Sequence, residues 1–181
     1  MSASIVSTSK LLSLIRRHKP EEIGLSLDSS GWADIDELLR LTAAKGKPLT
    51  RAIIDEIVAT NDKKRFFIST DGTKIRANQG HSIPVELGLP SREPPAMLFH
   101  GTATRFVESI QKRGLLKGNR QHVHLSADEE TAVKVGQRHG MTVVLQIASI
   151  EMQRAGHLFY LSANGVWLTE HVPPAFIEVI K

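Results

Sequence analysis

The chain has 181 residues, of which 41% are hydrophobic and 23% charged, and its formal net charge is +4 at pH 7. This composition is typical of a folded globular protein and argues against disorder. The absence of cysteine excludes disulfides, thiolate metal sites and cysteine nucleophiles. No apolar run approaches the roughly 18 residues of a membrane span, so we expect a cytoplasmic protein with no membrane segment. The mild positive charge is compatible with a polyanionic partner.

Two helices are predicted before residue 48. Ser7 or Ser9 can cap a first helix, whose apolar residues recur at helical spacing until Pro20 ends it. Asp34 and Glu37 stand three residues apart, as in a capping box. They predict that a second helix begins in the run "DIDELLRLTAA".

A third helix and a β-hairpin complete the first half. Thr50 is predicted to cap the third helix, and the runs "RFFIS" and "KIRA" flank the turn residues Asp71 and Gly72. Three helices followed by a hairpin is the order of a winged helix, a common nucleic-acid-binding lobe. Residues 85–96 are rich in proline and are predicted to be a linker, which makes residues 1–84 the first domain.

Residues 97–181 are predicted to form a second, mostly β domain. A helix in "TRFVESIQKRG" should end at Gly114, and Ser126 with Glu129 forms a second capping box for a helix that runs to Gly140. Together the two halves predict an α+β protein. Strands are expected in "MLFHGT", "HVHLS", "TVVLQI", "HLFYL", "GVWLT" and "FIEVI".

Arginine and histidine recur where predicted elements end, in "RRHKP", "NDKKRF" and "GNRQHVHLS". In the last run, alternation places His122 and His124 on one face of a strand and Val123 and Leu125 on the other. Each run alone has a structural explanation, such as a basic cluster that complements a helix dipole. Together, guanidinium groups that match phosphate oxygens and imidazoles that transfer protons predict a phosphate-handling cleft between the two domains.

Other kinds of site are not supported by the sequence. No third ligand follows His122 and His124 at a metal-like spacing, so we expect no bound metal. No GxGxxG run follows a predicted strand, and the chain contains neither a P-loop nor a GxSxG elbow.

The chain resembles the RNA 2′-phosphotransferases of the KptA type. The resemblance is carried by "LIRRHKPEEIGLSLDSSGWADIDELL", "NDKKRF", "IRANQGHS", "FHGT", "GNRQHVHLSAD" and "GVWLT", which follow the family's order and cover nearly the whole chain. It implies a winged-helix RNA lobe followed by an ADP-ribosyltransferase lobe that binds NAD. It also implies a two-step, metal-free reaction in which a tRNA-like RNA bearing a 2′-phosphate reacts with NAD. The products would be 2′-hydroxyl RNA, ADP-ribose 1″,2″-cyclic phosphate and nicotinamide.

The resemblance also assigns residues by their positions in these runs. Arg17 is chosen over Arg16 because it directly precedes His18. The implied catalytic set is Arg17, His18, Arg65 and Arg120. The implied NAD-binding residues are His100, Gly101, Thr102, Ser126 and His124, and His122 is left open. Residues expected to seat the RNA 2′-phosphate or its neighbours are Gln79, His81 and Ser82.

Two other functions remain open at this point. The chain could be an ADP-ribosyltransferase that modifies other acceptors, such as proteins or the terminal phosphates of nucleic acids. It could also be a winged-helix nucleic-acid-binding protein without catalytic activity, although the intact arginine and histidine set disfavours this. The sequence determines neither the physiological RNA nor the oligomeric state, and we expect a monomer.

Overall fold

The computed structural model describes residues 3–61, 64–138 and 140–180. Helices and short antiparallel sheets are mixed along the chain, which confirms the α+β prediction. The chain divides into two compact units, Met1–Gly88 and Leu89–Lys181. Within the described ranges, no helix has both the length and the apolar character needed to cross a membrane.

The described residues of the first unit form three α-helices and three strands. The caps predicted for its second and third helices are confirmed, because Asp34 Oδ1 accepts a hydrogen bond from Glu37 N at 2.8 Å and Thr50 Oγ1 accepts one from Ile53 N at 3.3 Å. The predicted cap at Ser7 or Ser9 is wrong, since the first helix already runs through both positions. The elements are α1 (Ala3–Arg17), β1 (Ala33–Asp34), α2 (Ile35–Ala44), α3 (Arg51–Thr60), β2 (Phe66–Ile68) and β3 (Lys74–Ala77), with a 3₁₀ turn at Pro20–Glu22.

The three strands of the first unit form one antiparallel sheet in the order β1-β3-β2. Strands β2 and β3 are the predicted hairpin, with Phe66 paired to Ala77 across it. Side chains alternate between the two faces of a strand, so Phe66, Ile75 and Ala77 point into the core formed with the helices. The opposite face carries Phe67 and Arg76.

Backbone hydrogen bonds tie parts of the predicted linker to the unit on each side of it. Glu86 N donates to Ser29 O at 2.8 Å in the first unit. Arg92 N donates to Phe159 O at 2.8 Å in the second unit. The division between units falls after Gly88, inside the proline-rich run.

The second unit contains eight short strands and three helices within its described residues. Its sheets have the strand orders β11-β7-β4, β6-β9-β8 and β10-β5. An isolated bridge between Phe99 and Ser126 connects β4 to the end of β6. The elements are β4 (Leu98–Ala103), α4 (Thr104–Arg113), β5 (Leu115–Leu116), β6 (Val123–Leu125), α5 (Glu129–Gly136), β7 (Thr142–Ile147), α6 (Ser149–Arg154), β8 (Phe159–Leu161), β9 (Trp167–Thr169), β10 (His171–Val172) and β11 (Ile177–Val179), with a 3₁₀ turn at Pro174–Phe176.

The ends of the helices in the second unit agree only in part with the sequence. Gly114 ends α4 with φ +77°, as predicted. The predicted cap at Ser126 is wrong, because Asp128 caps α5 by accepting a hydrogen bond from Thr131 N at 2.7 Å. Helix α5 ends at Gly136 rather than at Gly140. The six predicted strand runs each contain a strand.

Gly101 allows β4 and α5 to pack with almost no space between their backbones. A Cβ placed on Gly101 would lie 1.7 Å from the carbonyl oxygen of Ala132 and 2.8 Å from Gly136 N. No real side chain fits at such distances, so a glycine is required here. This contact fixes the strand that carries His100 against the helix that follows β6.

Candidate active site

The last turn of α1 places Arg16 in the core of the first unit. Its side chain is 0% exposed, and its Nη2 donates to Gly31 O at 2.7 Å and also to Ile75 O. Burial lowers the pKa of Arg16 to about 10, opposed by the nearby Asp28 carboxylate. These bonds connect α1 to β3, so Arg16 has a structural task that Arg17 does not share.

Arg17 and Arg65 meet beside the start of the hairpin. Arg17 Nη2 donates to Arg65 O at 3.4 Å, and Arg65 Nη1 donates to Asn61 Oδ1 at 3.2 Å. Asn78 N also donates to Arg65 O, at 2.9 Å. Both guanidinium groups are therefore held near the same backbone segment, although they come from residues 48 positions apart. The intervening Asp62 and Lys63 of "NDKKRF" lie outside the described residues.

His18 is exposed just beyond the end of α1 and is paired with Ser82. His18 Nδ1 and Ser82 Oγ are 2.9 Å apart. Ser82 N also donates to Arg17 O at 2.9 Å, so the loop after β3 is bonded directly to the end of α1. This loop contains Gln79, which is half-buried, and Gly80, whose φ of +85° favours glycine.

His81 lies beneath these residues and is only 1% exposed. Neither ring nitrogen has a hydrogen-bond partner among the described residues. Burial, together with the positive charges of Arg17, Arg16, His18 and Arg76, lowers the pKa of His81 to about 4. The ring is therefore neutral at pH 7. Its burial favours a role in supporting its neighbours over direct contact with a substrate.

A second cluster lies in the second unit, around His124 on β6. Arg120 Nη1 lies 2.8 Å from His124 Nδ1, and because a guanidinium can only donate, the imidazole accepts through Nδ1 and carries its ring proton on Nε2. His100 Nδ1 lies 2.9 Å from His124 O and must be the donor, since a carbonyl can only accept. The orientations of both rings are thus set by the protein.

The remaining predicted residues of the second unit lie on β4, which carries His100, or directly after β6, which carries His124. Ser126 exchanges two backbone hydrogen bonds with Phe99, at 2.9 and 2.8 Å. Thr102 is 6% exposed and Gly101 is buried against α5. The predicted alternation is confirmed, because Val123 and Leu125 are buried while His124 is half-buried.

His122 precedes β6 and its ring lies edge-on to Tyr160, with centroids 5.6 Å apart. Burial is the main cause that lowers the pKa of His122. No group of three potential metal-ligating side chains gathers anywhere in the described ranges.

Each unit therefore brings part of the predicted set together. The first unit joins Arg17, His18, Arg65 and Ser82 through hydrogen bonds, with His81 buried below. The second joins Arg120, His124 and His100. Guanidinium groups can bind phosphate oxygens and imidazole can transfer a proton near neutral pH, so the arrangement suits phosphoryl chemistry.

The sequence did not single out Asn78. This residue is 6% exposed, its backbone N–H bonds Arg65 O, and its side-chain amide donates to Lys64 O. It thereby fixes the backbone that carries Arg65. The pairing of "RFFIS" with "KIRA" could have indicated it, because extending that ladder by one residue places Asn78 opposite Arg65.

Comparison with known proteins gives consistent matches over nearly the whole chain. The model of the family described as "RNA 2'-phosphotransferase, Tpt1 / KptA family" matches residues 3–171. A "Probable RNA 2'-phosphotransferase" of Flavobacterium johnsoniae is 57% identical over 172 residues, 95% of this chain and 94% of the relative. Proteins with the same description from Acaryochloris marina and Agrobacterium fabrum are 55% identical over 180 residues (99% of each chain) and 56% identical over 173 residues (96% of this chain and 93% of the relative).

Proposed function

The chain belongs to the RNA 2'-phosphotransferase, Tpt1 / KptA family, and from this premise we propose that it removes an internal 2′-phosphate from RNA with NAD as co-substrate. The proposed products are 2′-hydroxyl RNA, ADP-ribose 1″,2″-cyclic phosphate and nicotinamide. The observation that carries the proposal is the contact between Arg17 and Arg65 next to His18, since these residues lie in the runs that resemble the family.

The first unit is proposed to act on the RNA phosphate. The Arg17 side chain is hydrogen-bonded to the backbone of Arg65, so the guanidinium groups of both residues lie near this point of the chain. Guanidinium groups bind phosphate oxygens in bidentate geometry. His18 is exposed and oriented by Ser82, so it can exchange a proton with the 2′-oxygen that RNA regains. The fold of this unit, with three helices followed by a hairpin, supports its interpretation as a winged-helix RNA lobe.

The second unit is proposed to bind NAD, as an ADP-ribosyltransferase-like lobe. The donor set suits a dinucleotide: the His100 ring is oriented by the His124 carbonyl, and hydroxyls are present at Thr102 and Ser126. Arg120, whose side chain is bonded to His124, would stabilise negative charge that develops on phosphoryl oxygens. NAD would supply the ribose carbon that accepts the phosphate. A strand-borne histidine held in one tautomer can orient a ribose hydroxyl without rearranging.

The decisive experiment incubates the full chain with an oligoribonucleotide carrying one internal 2′-phosphate, with and without NAD. We expect mass spectrometry to show 2′-hydroxyl RNA, nicotinamide and ADP-ribose cyclic phosphate only when NAD is present. Arg65→Ala should abolish the reaction, whereas Arg40→Ala, which removes an exposed arginine of α2, should not.

Two results would contradict the proposal. Transfer of ADP-ribose to an RNA with only a terminal phosphate, without loss of the internal 2′-phosphate, would favour an ADP-ribosyltransferase with another acceptor. RNA binding without consumption of NAD would favour a nucleic-acid-binding protein without catalytic activity.

A further inference from the structure

Three side chains form a row across the outer face of the sheet in the first unit. Phe67 of β2 is paired with Arg76 of β3, and Ala33 of β1 is paired with Ile75. Trp32 precedes Ala33, so the antiparallel register places Trp32 beside Arg76, on the side of β3 opposite to Phe67. Trp32, Arg76 and Phe67 therefore follow one another across the three strands, and we refer to them as the stacking row.

The members of the stacking row are in mutual contact. Arg76 Cζ lies 4.7 Å from the ring centroid of Trp32, which is a cation–π distance. The rings of Trp32 and Phe67 lie 6.1 Å apart at an interplanar angle of 63°. Two aromatic rings and one guanidinium plane thus form a continuous, ordered surface. Bases of single-stranded nucleic acid stack on surfaces of this composition.

The row lies on the face of the sheet away from the core, where Trp32 and Arg76 are half-buried and Phe67 is exposed. Phe67 is 47% exposed, whereas the adjacent Phe66 is 3% exposed and Ile75 is fully buried. The ion pairs found among the described residues of this unit do not include Arg76, so its charge is not neutralised by a carboxylate there. Cross-strand pairing stabilises a sheet, but it does not require an exposed phenyl ring next to an arginine whose charge has no carboxylate partner. A polyanion that carries aromatic bases complements both properties.

The row is continuous with the cluster that holds Arg65. The ladder of β2 and β3 extends to Arg65, whose carbonyl accepts a hydrogen bond from Asn78 N at 2.9 Å. Arg65 and Phe67 are two residues apart on an extended backbone, so they share a face and lie about 7 Å apart. A single nucleotide can span this separation. The positive charge of Arg76 also helps to lower the pKa of His81, which agrees with a short distance between the row and the loop after β3.

We propose that the stacking row binds the nucleobase adjacent to the 2′-phosphorylated nucleotide of a single-stranded RNA. The proposal rests on the function proposed above, because it assumes an RNA phosphate near Arg65. Phe67 would present its ring to the base, Arg76 would stack beside it and attract the backbone, and Trp32 would support both. Since every base has a π-face, the site would tolerate sequence variation and would demand an unpaired neighbour.

The test compares two 2′-phosphorylated oligoribonucleotides that differ only in whether the neighbouring nucleotide carries a base or is abasic. Binding to the full chain is measured without NAD, by anisotropy of a labelled RNA. We expect the intact RNA to bind about 10-fold more tightly than the abasic RNA. Phe67→Ala should remove this difference, whereas Phe67→Tyr should keep it.

The second unit offers a matched control. Phe106 is 42% exposed and has Arg105 at 4.7 Å over its ring, so Phe106→Ala removes a similar aromatic–arginine pair elsewhere. This variant should retain the 10-fold discrimination. A spectroscopic signature is available as well, because Trp167→Phe leaves Trp32 as the sole tryptophan of the chain, and a stacked base should quench its fluorescence.

The outcomes separate this proposal from the proposed function. The stacking row is overturned if intact and abasic RNA bind equally well, or if Phe67→Ala lowers the affinity for both RNAs equally. Either result would stand even if the 2′-phosphate is still removed with NAD. If the chain discriminates intact from abasic RNA through Phe67 but does not remove the 2′-phosphate with NAD, the proposed reaction is wrong and the stacking row is supported. An absence of RNA binding would count against the stacking row.

Discussion

Replacing His81 should make the first unit less sensitive to acid. The ring is 1% exposed, and its pKa is lowered from 6.5 to about 4 by burial and by four neighbouring positive charges. The folded state therefore favours the neutral ring. For a group whose folded pKa is depressed, the stability it contributes is complete above the unfolded pKa of 6.5 and is lost as pH falls towards 4.

The magnitude follows from the two pKa values. With pKa 6.5 in the unfolded chain and about 4 in the folded one, protonation of His81 reduces the free energy of unfolding by about 2.5 kcal/mol between about pH 7.5 and about pH 4.5. His81→Gln does not titrate, so its free energy of unfolding should fall by about 2.5 kcal/mol less than that of the parent over the same range. The comparison of pH dependences cancels any constant cost of the substitution itself.

Urea unfolding at a series of pH values measures this difference. In a Trp167→Phe background the fluorescence of Trp32 reports unfolding of the first unit. His157→Gln removes a histidine from the second unit and should leave the pH dependence of the first unit unchanged. If the parent and His81→Gln lose stability in parallel as the pH falls, then His81 is not a neutral, buried ring and the reasoning is wrong.

Three further predictions concern single side chains. Arg120→Lys should lower kcat/KM at least about 100-fold, because an ammonium group cannot reproduce bidentate contact with phosphate, and full turnover would contradict the assignment. His18→Ala should slow formation of 2′-hydroxyl RNA more than release of nicotinamide in a single turnover; equal slowing would exclude a specific role in the later proton transfer. Gly101→Ala should lower the free energy of unfolding by about 3 kcal/mol, because its Cβ would overlap Ala132 O. Gly24→Ala, with nothing within 4 Å of its Cβ, should cost only about 1 kcal/mol for backbone strain, and similar thermal shifts for the two glycines would refute the packing argument.

The elements best predicted from the sequence are those whose signals are local. Asp34 and Thr50 each cap a helix through a backbone N–H three residues ahead, and this spacing is visible in the sequence. Ser126 has the same spacing to Glu129 and misled the prediction. A carboxylate at Asp128 competes for the start of the helix, while β-bridge hydrogen bonds hold Ser126 to Phe99.

The features that the sequence missed depend on distant partners. Strand β1 has only two residues, and it exists because Ala33 and Asp34 pair with β3. A histidine in a polar loop gives no sign of burial, yet His81 is 1% exposed and lies within reach of the positive charges of α1 and the hairpin. Similarly, the sequence set Arg16 aside only because Arg17 directly precedes His18, and the contacts with Gly31 and Ile75 are what show that the Arg16 guanidinium belongs to the core.

Ser126 does not cap α5, so its side chain can be replaced by one that carries a chemical label. Its backbone is fixed by two hydrogen bonds to Phe99, and its hydroxyl is not the group that begins α5. Because the chain contains no cysteine, Ser126→Cys would create a unique thiol. A small fluorophore or spin probe attached there would lie beside β4, where it should compete with NAD for the dinucleotide site proposed above.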